Sequence, residues 1–151
     1  MKSLMKLVLL GIGGVVAFGL LIQLIPVNHT NPPVVTQMKW DTPETAALFK
    51  RACADCHSNE TVWPWYSYVA PVSWLVAHDT EEGRGILNVS DLASNDPTRL
   101  QRRIGEINET LTRGKMPKSI YLPMHPDAKL TPAEIQTLSN GLQKSLLATL
   151  K

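Results

Sequence analysis

Cysteine is scarce in this chain, with only Cys53 and Cys56 among its 151 residues. A disulfide between two cysteines three positions apart closes a very small loop and would stabilise the fold little. A structural zinc site takes four protein ligands, and the second pair of cysteines that such a site commonly uses is missing here. The two thiols therefore call for a chemistry that uses a single close pair.

An excess of charge of either sign is also lacking. The 15 basic and 13 acidic residues give a net charge of +2, and Lys2 and Lys6 precede the first apolar run. Without these two lysines, 13 basic residues balance 13 acidic ones. Nucleic acid as a partner would need a basic face, and a domain with balanced charge argues against it.

Repeats, low-complexity tracts and convincing alternating strand patterns are absent from the sequence as well. Beyond the apolar N-terminus, about 110 to 125 residues remain, enough for one small domain. Helix signals dominate this part, so we expect an all-α domain. Its long loops, at residues 58–70 and 115–130, are typical of segments that carry function or wrap a cofactor.

One long hydrophobic run is present. Leu7–Ile25 carries no charge over roughly 19 residues, close to the length of a membrane-spanning helix. No small-x-small cleavage site follows, so the sequence predicts an uncleaved signal anchor over residues 1–25. The two N-terminal lysines favour a cytoplasmic N-terminus, which predicts an inner-membrane protein with its domain in the periplasm or outside. We expect residues 26–40 to form a linker and residues 41–151 the exported domain.

Several helix starts can be located in this domain. Thr42–Pro43 combines a cap with a first-position proline, and its helix leads into the cysteines. Asp96–Pro97 opens a helix with apolar spacings of four, three and four, which ends at Gly114. Thr131–Glu134, "TPAE", is a capping box with a proline in the first turn and starts the last helix. A short helix is expected over Pro71–Leu75.

The two cysteines belong to Cys53-Ala54-Asp55-Cys56-His57, a C-x-x-C-H motif. Two thiols on adjacent turns can add to the two vinyl groups of one haem, and the following imidazole can then bind the iron. A thiol-redox pair usually opens a helix in a fold that contains strands. Thiol-redox chemistry, zinc and chance occurrence are the alternatives. The motif predicts one covalent haem c, attached through Cys53 and Cys56, with His57 as an iron ligand.

Aromatic residues make up only 6% of the chain, but several follow the motif directly. A haem is a large apolar disc, and indole and phenol rings can wall it while their polar atoms reach the propionates. Ordinary core packing is an equally good interpretation. The candidate haem-wall residues are Trp63, Trp65, Tyr66, Tyr68 and Trp74.

These segments resemble a known family. "CADCHSNETVWPWYSYVAPVSWL", "EEGRGILNVSDL" and "GKMP" are similar to segments of the small cytochrome c-like haem-binding domain of bacterial membrane-anchored proteins. The resemblance covers most of the chain, and the long cysteine segment is its most specific part. It implies a c-type haem, a cytochrome c-like helical fold wrapped around it, and electron transfer.

Four single residues are further candidates for the haem site. In cytochromes c a proline carbonyl often accepts the hydrogen bond of the ligating histidine; Pro71 resembles that proline in position, although it can equally just start a helix. Arg84 can pair with a propionate or remain a solvated arginine. For the sixth iron ligand, the resemblance places its methionine–proline pair at Met116, with Met124 as the alternative and a histidine or an open position after it. Either methionine can instead fill core space.

The predicted function is that of a single-haem, membrane-tethered electron carrier with a redox partner protein. No cluster of acid, base and nucleophile accompanies the haem motif. A haem-based sensor or peroxidase-like enzyme with a displaceable sixth iron position is the competing hypothesis, and a structural subunit is a third. Lys115 and Lys118 are candidates for docking the partner, or ordinary solvated lysines.

Overall fold

The computed structural model describes residues 2–150, and every regular element in this range is helical. The α-helices are α1 (Lys2–Ile22), α2 (Pro43–Ala52), α3 (Ala54–His57), α4 (Val72–Ile86), α5 (Pro97–Thr112) and α6 (Pro132–Thr149). Short 3-10 turns lie at Trp65–Tyr68, Leu92–Ser94 and Pro126–Ala128. The predicted all-α class is confirmed.

The chain divides into two compact units. The first comprises Met1–Thr30 and Trp63–Asp79, and the second comprises Asn31–Val62 and Thr80–Lys151. The first unit contains the apolar N-terminal helix and the aromatic segment. The second contains the cysteine motif and helices α2, α3, α5 and α6.

The helix starts follow the local signals. Thr42 caps α2 by accepting a hydrogen bond from the N–H of Thr45 at 3.1 Å. Asp96 caps α5 in the same way, through the N–H of Arg99 at 2.8 Å. Each cap satisfies an N–H group that has no partner within its helix. The predicted starts of α2 and α5 are therefore confirmed.

The core of the second unit lies where α6 packs against α5 and α2. The apolar stripes of these amphipathic helices meet there, as their spacing predicts. The most buried members on these three helices are Phe49, Leu100, Ile104, Leu138, Leu142 and Leu146. The partly buried Cys53 and Met116 pack against the same cluster, so the core extends to the cysteine motif.

Helix α4 is longer than the sequence indicates. The expected helix at Pro71–Leu75 continues to Ile86, through two glycines that each lower the intrinsic helix propensity by about 1 kcal/mol. One of them, Gly83, packs against the cysteine motif. Tertiary packing thus outweighs local propensity in this helix.

Helix α1 is exposed on all sides, with residues 3–21 presenting their side chains to the surroundings. Within the described range, Ser3–Ile22 is the one stretch of helix that is long and apolar enough to cross a membrane, with a mean hydropathy of 2.3. Its C-terminal end is followed by Gln23, whose side chain bonds the backbone of Tyr68 and Ala70 within the same unit.

Glu134 gives the second unit a predicted dependence of stability on pH. Its carboxylate accepts hydrogen bonds from the N–H of Thr131 at 2.8 Å and from Arg51 at 2.6 Å, which completes the capping box and joins α6 to α2. The Thr131 backbone bond, followed by the Arg51 bond, lowers the pKa of Glu134 from 4.5 to about 2. A carboxyl with a lowered folded-state pKa stabilises the fold above its unfolded-state pKa.

We therefore expect this contribution to disappear as the pH falls from about 4.5 to about 2. Glu134→Gln should be less stable than the wild type at pH 7 and should lose less stability across that acid range. Thermal unfolding followed by far-UV circular dichroism at a series of pH values measures both effects. Glu109→Gln is the control, because Glu109 pairs with Arg113 four residues along the chain and both side chains are more than half exposed. Parallel pH curves for the wild type and Glu134→Gln would contradict the prediction.

Candidate functional site

Cys53 lies where two helices meet. It caps the C-terminal end of α2, with its N–H donating to the carbonyl of Phe49 at 2.9 Å, and it immediately precedes α3. The N–H groups of Cys56 and His57 both donate to the Cys53 carbonyl, at 3.2 and 3.0 Å. Residues three apart in one helical turn are neighbours on its surface, so this turn brings the two thiols close together.

Asp55, between the two cysteines, ties this turn to its surroundings. Its Oδ1 accepts from the N–H of Val62 at 3.0 Å, and its Oδ2 accepts from the hydroxyl of Tyr121 at 2.7 Å. Its backbone carbonyl accepts from the hydroxyl of Thr61 at 2.7 Å. The cysteine turn is therefore positioned by hydrogen bonds of the chain itself.

The ring of His57 is oriented by the segment that follows α4. Its Nδ1 donates to the carbonyl of Leu87 at 3.0 Å, and the N–H of Val89 donates to the His57 carbonyl at 2.9 Å. Because a carbonyl can only accept, Nδ1 carries the proton of the neutral ring and Nε2 keeps its lone pair. The sequence predicts Pro71 as the acceptor of this hydrogen bond. In the structure the acceptor is Leu87, because the chain leaving α4 runs alongside the motif.

Burial sets the protonation of both types of side chain in the motif. Burial lowers the pKa of His57 and Lys118 lowers it further, although hydrogen bonds with the backbone of Leu87 and Gly83 oppose the shift. Burial, with a smaller contribution from Cys56, raises the pKa of the Cys53 thiol to about 12. Redox-active thiol pairs depend on a lowered cysteine pKa, so this environment argues against thiol-redox chemistry.

A buried polar network holds the carbonyl of Leu87 in place. The amide of Asn88 donates to Asn59 Oδ1 at 2.8 Å, and the backbone N–H of Asn88 donates to Asn95 Oδ1 at 3.0 Å. Ser90 closes the network by donating its N–H to Asn88 Oδ1 and by accepting from the N–H of Asn59, both at 3.0 Å. Removing one partner would leave a buried polar group unpaired, at about 1–3 kcal/mol.

Gly83 allows α4 to approach the motif closely. A Cβ atom at this position would overlap the carbonyl oxygen of Cys56 and would lie 3.0 Å from its carbonyl carbon and its Cβ. At Gly85, two residues further along the same helix, a Cβ would meet nothing within 4 Å. The close contact between the backbones of α4 and α3 therefore requires glycine at position 83.

Arg84 braces the loop that follows the motif. Its Nε donates to the carbonyl of Ser58, and one terminal nitrogen donates to Asn31 Oδ1 and Thr61 Oγ1, all at 2.9 Å. Burial lowers the pKa of Arg84, and Cys56 opposes that shift. The predicted pairing of Arg84 with a propionate stays a prediction.

Cys53 and His57 line a cavity of about 430 Å³ in the second unit, together with Met116. The volume is within the range of about 300–1,000 Å³ that is usual for small-molecule sites, and a mainly apolar wall with a few donors is typical of them. Two cations, Arg103 and Lys115, also line it. The apolar wall includes Phe49, Ile86, Ile107, Leu111, Leu138 and Leu142.

A family model described as a haem-binding domain matches residues 17–144. The chain belongs to this haem-binding domain family. Comparison with curated proteins and with solved structures gave no match. The donor set fits the cofactor, because thiols, a neutral imidazole and a thioether are groups that hold haem in proteins.

The two candidate methionines differ in their position relative to this cavity. Met116 lines the cavity and packs against the core. Met124 is 53% exposed and does not belong to the cavity wall formed by the described residues. The fold thus places Met116, and not Met124, in the same cavity wall as Cys53 and His57.

The predicted haem-wall residues Trp63, Trp65 and Tyr66 belong to the first unit, as does Pro71. Trp63 and Trp74 have buried indole nitrogens that meet no acceptor among the described residues. Trp65 is largely exposed. A contact of these aromatic residues with haem stays a prediction.

Three residues of the haem-binding domain that position the motif went unassigned at the sequence level. The sequence could have indicated Gly83, since a glycine within a helical pattern often marks a close backbone approach. It gave a weaker indication for Asp55, an acidic residue enclosed by the motif. It gave no indication for Leu87, because Leu87 acts through its backbone carbonyl, which every residue has.

Proposed function

We propose that this haem-binding protein is a membrane-tethered mono-haem c-type cytochrome that transfers electrons. The observation that carries the proposal is that Cys53, His57 and Met116 line one largely apolar cavity. A single C-x-x-C-H motif in the chain implies one haem.

Cys53 and Cys56 would hold the group covalently. Each thiol would add across one vinyl group: a sulfur–carbon bond would form, the S–H bond and the carbon–carbon π bond would break, and the thiol hydrogen would end on the neighbouring carbon. The addition needs no external oxidant or reductant. Burial keeps Cys53 as the neutral thiol, so its sulfur still carries the hydrogen that this addition transfers to carbon.

His57 and Met116 would be the two side chains that bind the iron. The Leu87 carbonyl fixes the proton of His57 on Nδ1, so that Nε2 offers a lone pair, and this outer hydrogen bond also orients the ring. The bound haem would supply a one-electron redox couple, and ligation by a thioether together with a histidine would raise its potential. The apolar part of the wall would shield the haem surface that packs against it from water.

Helix α1 would anchor the protein in the inner membrane. Lys2 and Lys6 favour a cytoplasmic N-terminus, which leaves the haem-binding domain in the periplasm or outside. Lys115 is exposed and lines the cavity, so a redox partner with an acidic surface would dock there. Lys118 is paired with Glu82 at 3.2 Å and is a weaker candidate for that contact.

The test uses the full-length chain purified in detergent. We expect dithionite to reduce the air-oxidised protein, the haem to resist extraction by acid–acetone, and carbon monoxide to leave the reduced spectrum unchanged at neutral pH. Extraction of the haem would contradict covalent attachment. A rapid and complete spectral change with carbon monoxide would reveal a displaceable sixth ligand and favour a sensor or peroxidase-like enzyme instead.

A further inference from the structure

The first unit carries an exposed apolar surface in the segment that follows the cysteine loop. Trp65 has 71% and Tyr68 53% of its surface exposed, and Val69, Val72 and Leu75 are exposed beside them. The chain has no charged side chain between Trp63 and Ala77. Contiguous exposed apolar surfaces mark interaction sites of proteins, so we expect an apolar partner to cover this surface.

Gln23 fixes this surface close to the end of α1. Its Nε2 donates to the carbonyl of Tyr68 at 2.6 Å, and its Oε1 accepts from the N–H of Ala70 at 2.9 Å. Gln23 directly follows the apolar stretch Ser3–Ile22, whose 20 residues measure about 30 Å as a helix, the thickness of a bilayer's hydrocarbon core. When α1 spans a membrane, Tyr68 and Ala70 therefore lie where hydrocarbon meets headgroups.

His29 adds a second set of contacts to the same segment. Its Nε2 donates to the carbonyl of Ser67 at 2.6 Å. Its ring stacks on Tyr68 with centroids 4.3 Å apart and meets Trp63 edge-on at 4.7 Å. The aromatic segment is thus bound to the chain leaving α1 at several points.

We propose that the surface formed by Trp65, Tyr68, Val69, Val72 and Leu75 lies in the interfacial layer of the bilayer. Tryptophan and tyrosine are enriched at that depth because their rings are apolar and their N–H or O–H groups reach water. The hydrogen bonds of Gln23 make this surface continuous with the membrane span. The proposal rests on the membrane anchor of the proposed function, and it assigns Trp65 to lipid rather than to haem.

The test places nitroxide spin labels on the full-length, haem-loaded protein in vesicles of phosphatidylcholine and phosphatidylglycerol. Three single variants carry the label: Trp65→Cys in the surface, Val15→Cys in the middle of α1, and Lys144→Cys on an exposed position of α6. The accessibility of each label to oxygen, relative to a water-soluble nickel chelate, reports its depth. We expect the ratio to be highest at position 15, intermediate at 65 and lowest at 144.

The outcomes separate this proposal from the anchor itself. A deep label at 15 with a label at 65 as water-accessible as that at 144 would overturn the interfacial surface and leave the anchor intact. Water-accessible labels at both 15 and 65 would overturn both. A label at 65 shielded from oxygen and nickel alike would show that protein, such as a second copy, covers the surface. A changed haem spectrum in Trp65→Cys would place Trp65 at the haem instead, and would also overturn the proposal.

Discussion

In the proposed c-type cytochrome, replacing Gly83 by alanine should remove most of the covalent haem, whereas Gly85→Ala should leave the haem content unchanged. The added methyl group at position 83 overlaps the carbonyl oxygen of Cys56, so α4 and the cysteine turn must move apart. Forcing an extra methyl group into a packed site typically costs about 1–3 kcal/mol. Because His57 Nδ1 donates to the carbonyl of Leu87, the residue directly after α4, the displacement should also disturb the ring of His57.

Gly85→Ala is a closely matched control, since both substitutions add one methyl group to the same helix. Alanine improves helix propensity by about 1 kcal/mol at either position, but only at 85 does the methyl group enter open space. Gly85→Ala should therefore unfold at a slightly higher temperature than the wild type, and Gly83→Ala at a lower one. In-gel haem staining and the pyridine haemochrome give the haem per chain. Equal haem loading in both variants would show that the close approach of α4 is not required.

The elements that the sequence predicts well are those whose signals are local. Thr42, Asp96 and Thr131 are caps that bond N–H groups only three residues away, so each helix start can be located without knowledge of the fold. The C-x-x-C-H motif is equally local, because one helical turn defines its spacing. Membership of a haem-binding family, expected from these segments, is confirmed by the match over residues 17–144.

The parts that could not be predicted depend on contacts between distant segments. Leu87 orients His57 through a backbone carbonyl, and no side-chain identity marks a carbonyl for that role. Arg84 has a charge suited to a propionate, yet its donors bond Ser58, Asn31 and Thr61, which only the folded loop brings within reach. The length of α4 depends on the packing of Gly83 and runs against local propensity.

The two candidate methionines also show the difference between what the sequence predicts locally and what depends on the fold. Spacing alone leaves Met116 and Met124 as candidates, because both lie between α5 and α6. The fold separates them by lining the cavity with Met116 and leaving Met124 largely exposed. A ligand must reach the cavity that His57 lines. Which methionine does so depends on the tertiary fold, and the spacing in the sequence does not reveal it.

The axial ligand is tested by replacing each methionine separately. A thioether–iron bond gives the oxidised protein a weak charge-transfer band in the far red, and we expect Met116→Ala to lose it while Met124→Ala retains it. Loss of the thioether should also lower the reduction potential and open the sixth position to carbon monoxide. Visible spectra and a redox titration of each variant measure these effects.

Met116 also packs against the core, so truncation to alanine can lower stability by about 2–5 kcal/mol and confuse the comparison. Met116→Leu removes the sulfur while nearly conserving the volume, a change that usually costs less than about 1.5 kcal/mol. This variant should fold and carry covalent haem like the wild type, yet lack the far-red band and bind carbon monoxide when reduced. A band that survives in Met116→Leu and disappears in Met124→Ala would assign the ligand to Met124. It would also mean that residues 115–130 rearrange around the haem, since Met124 would have to leave its exposed position.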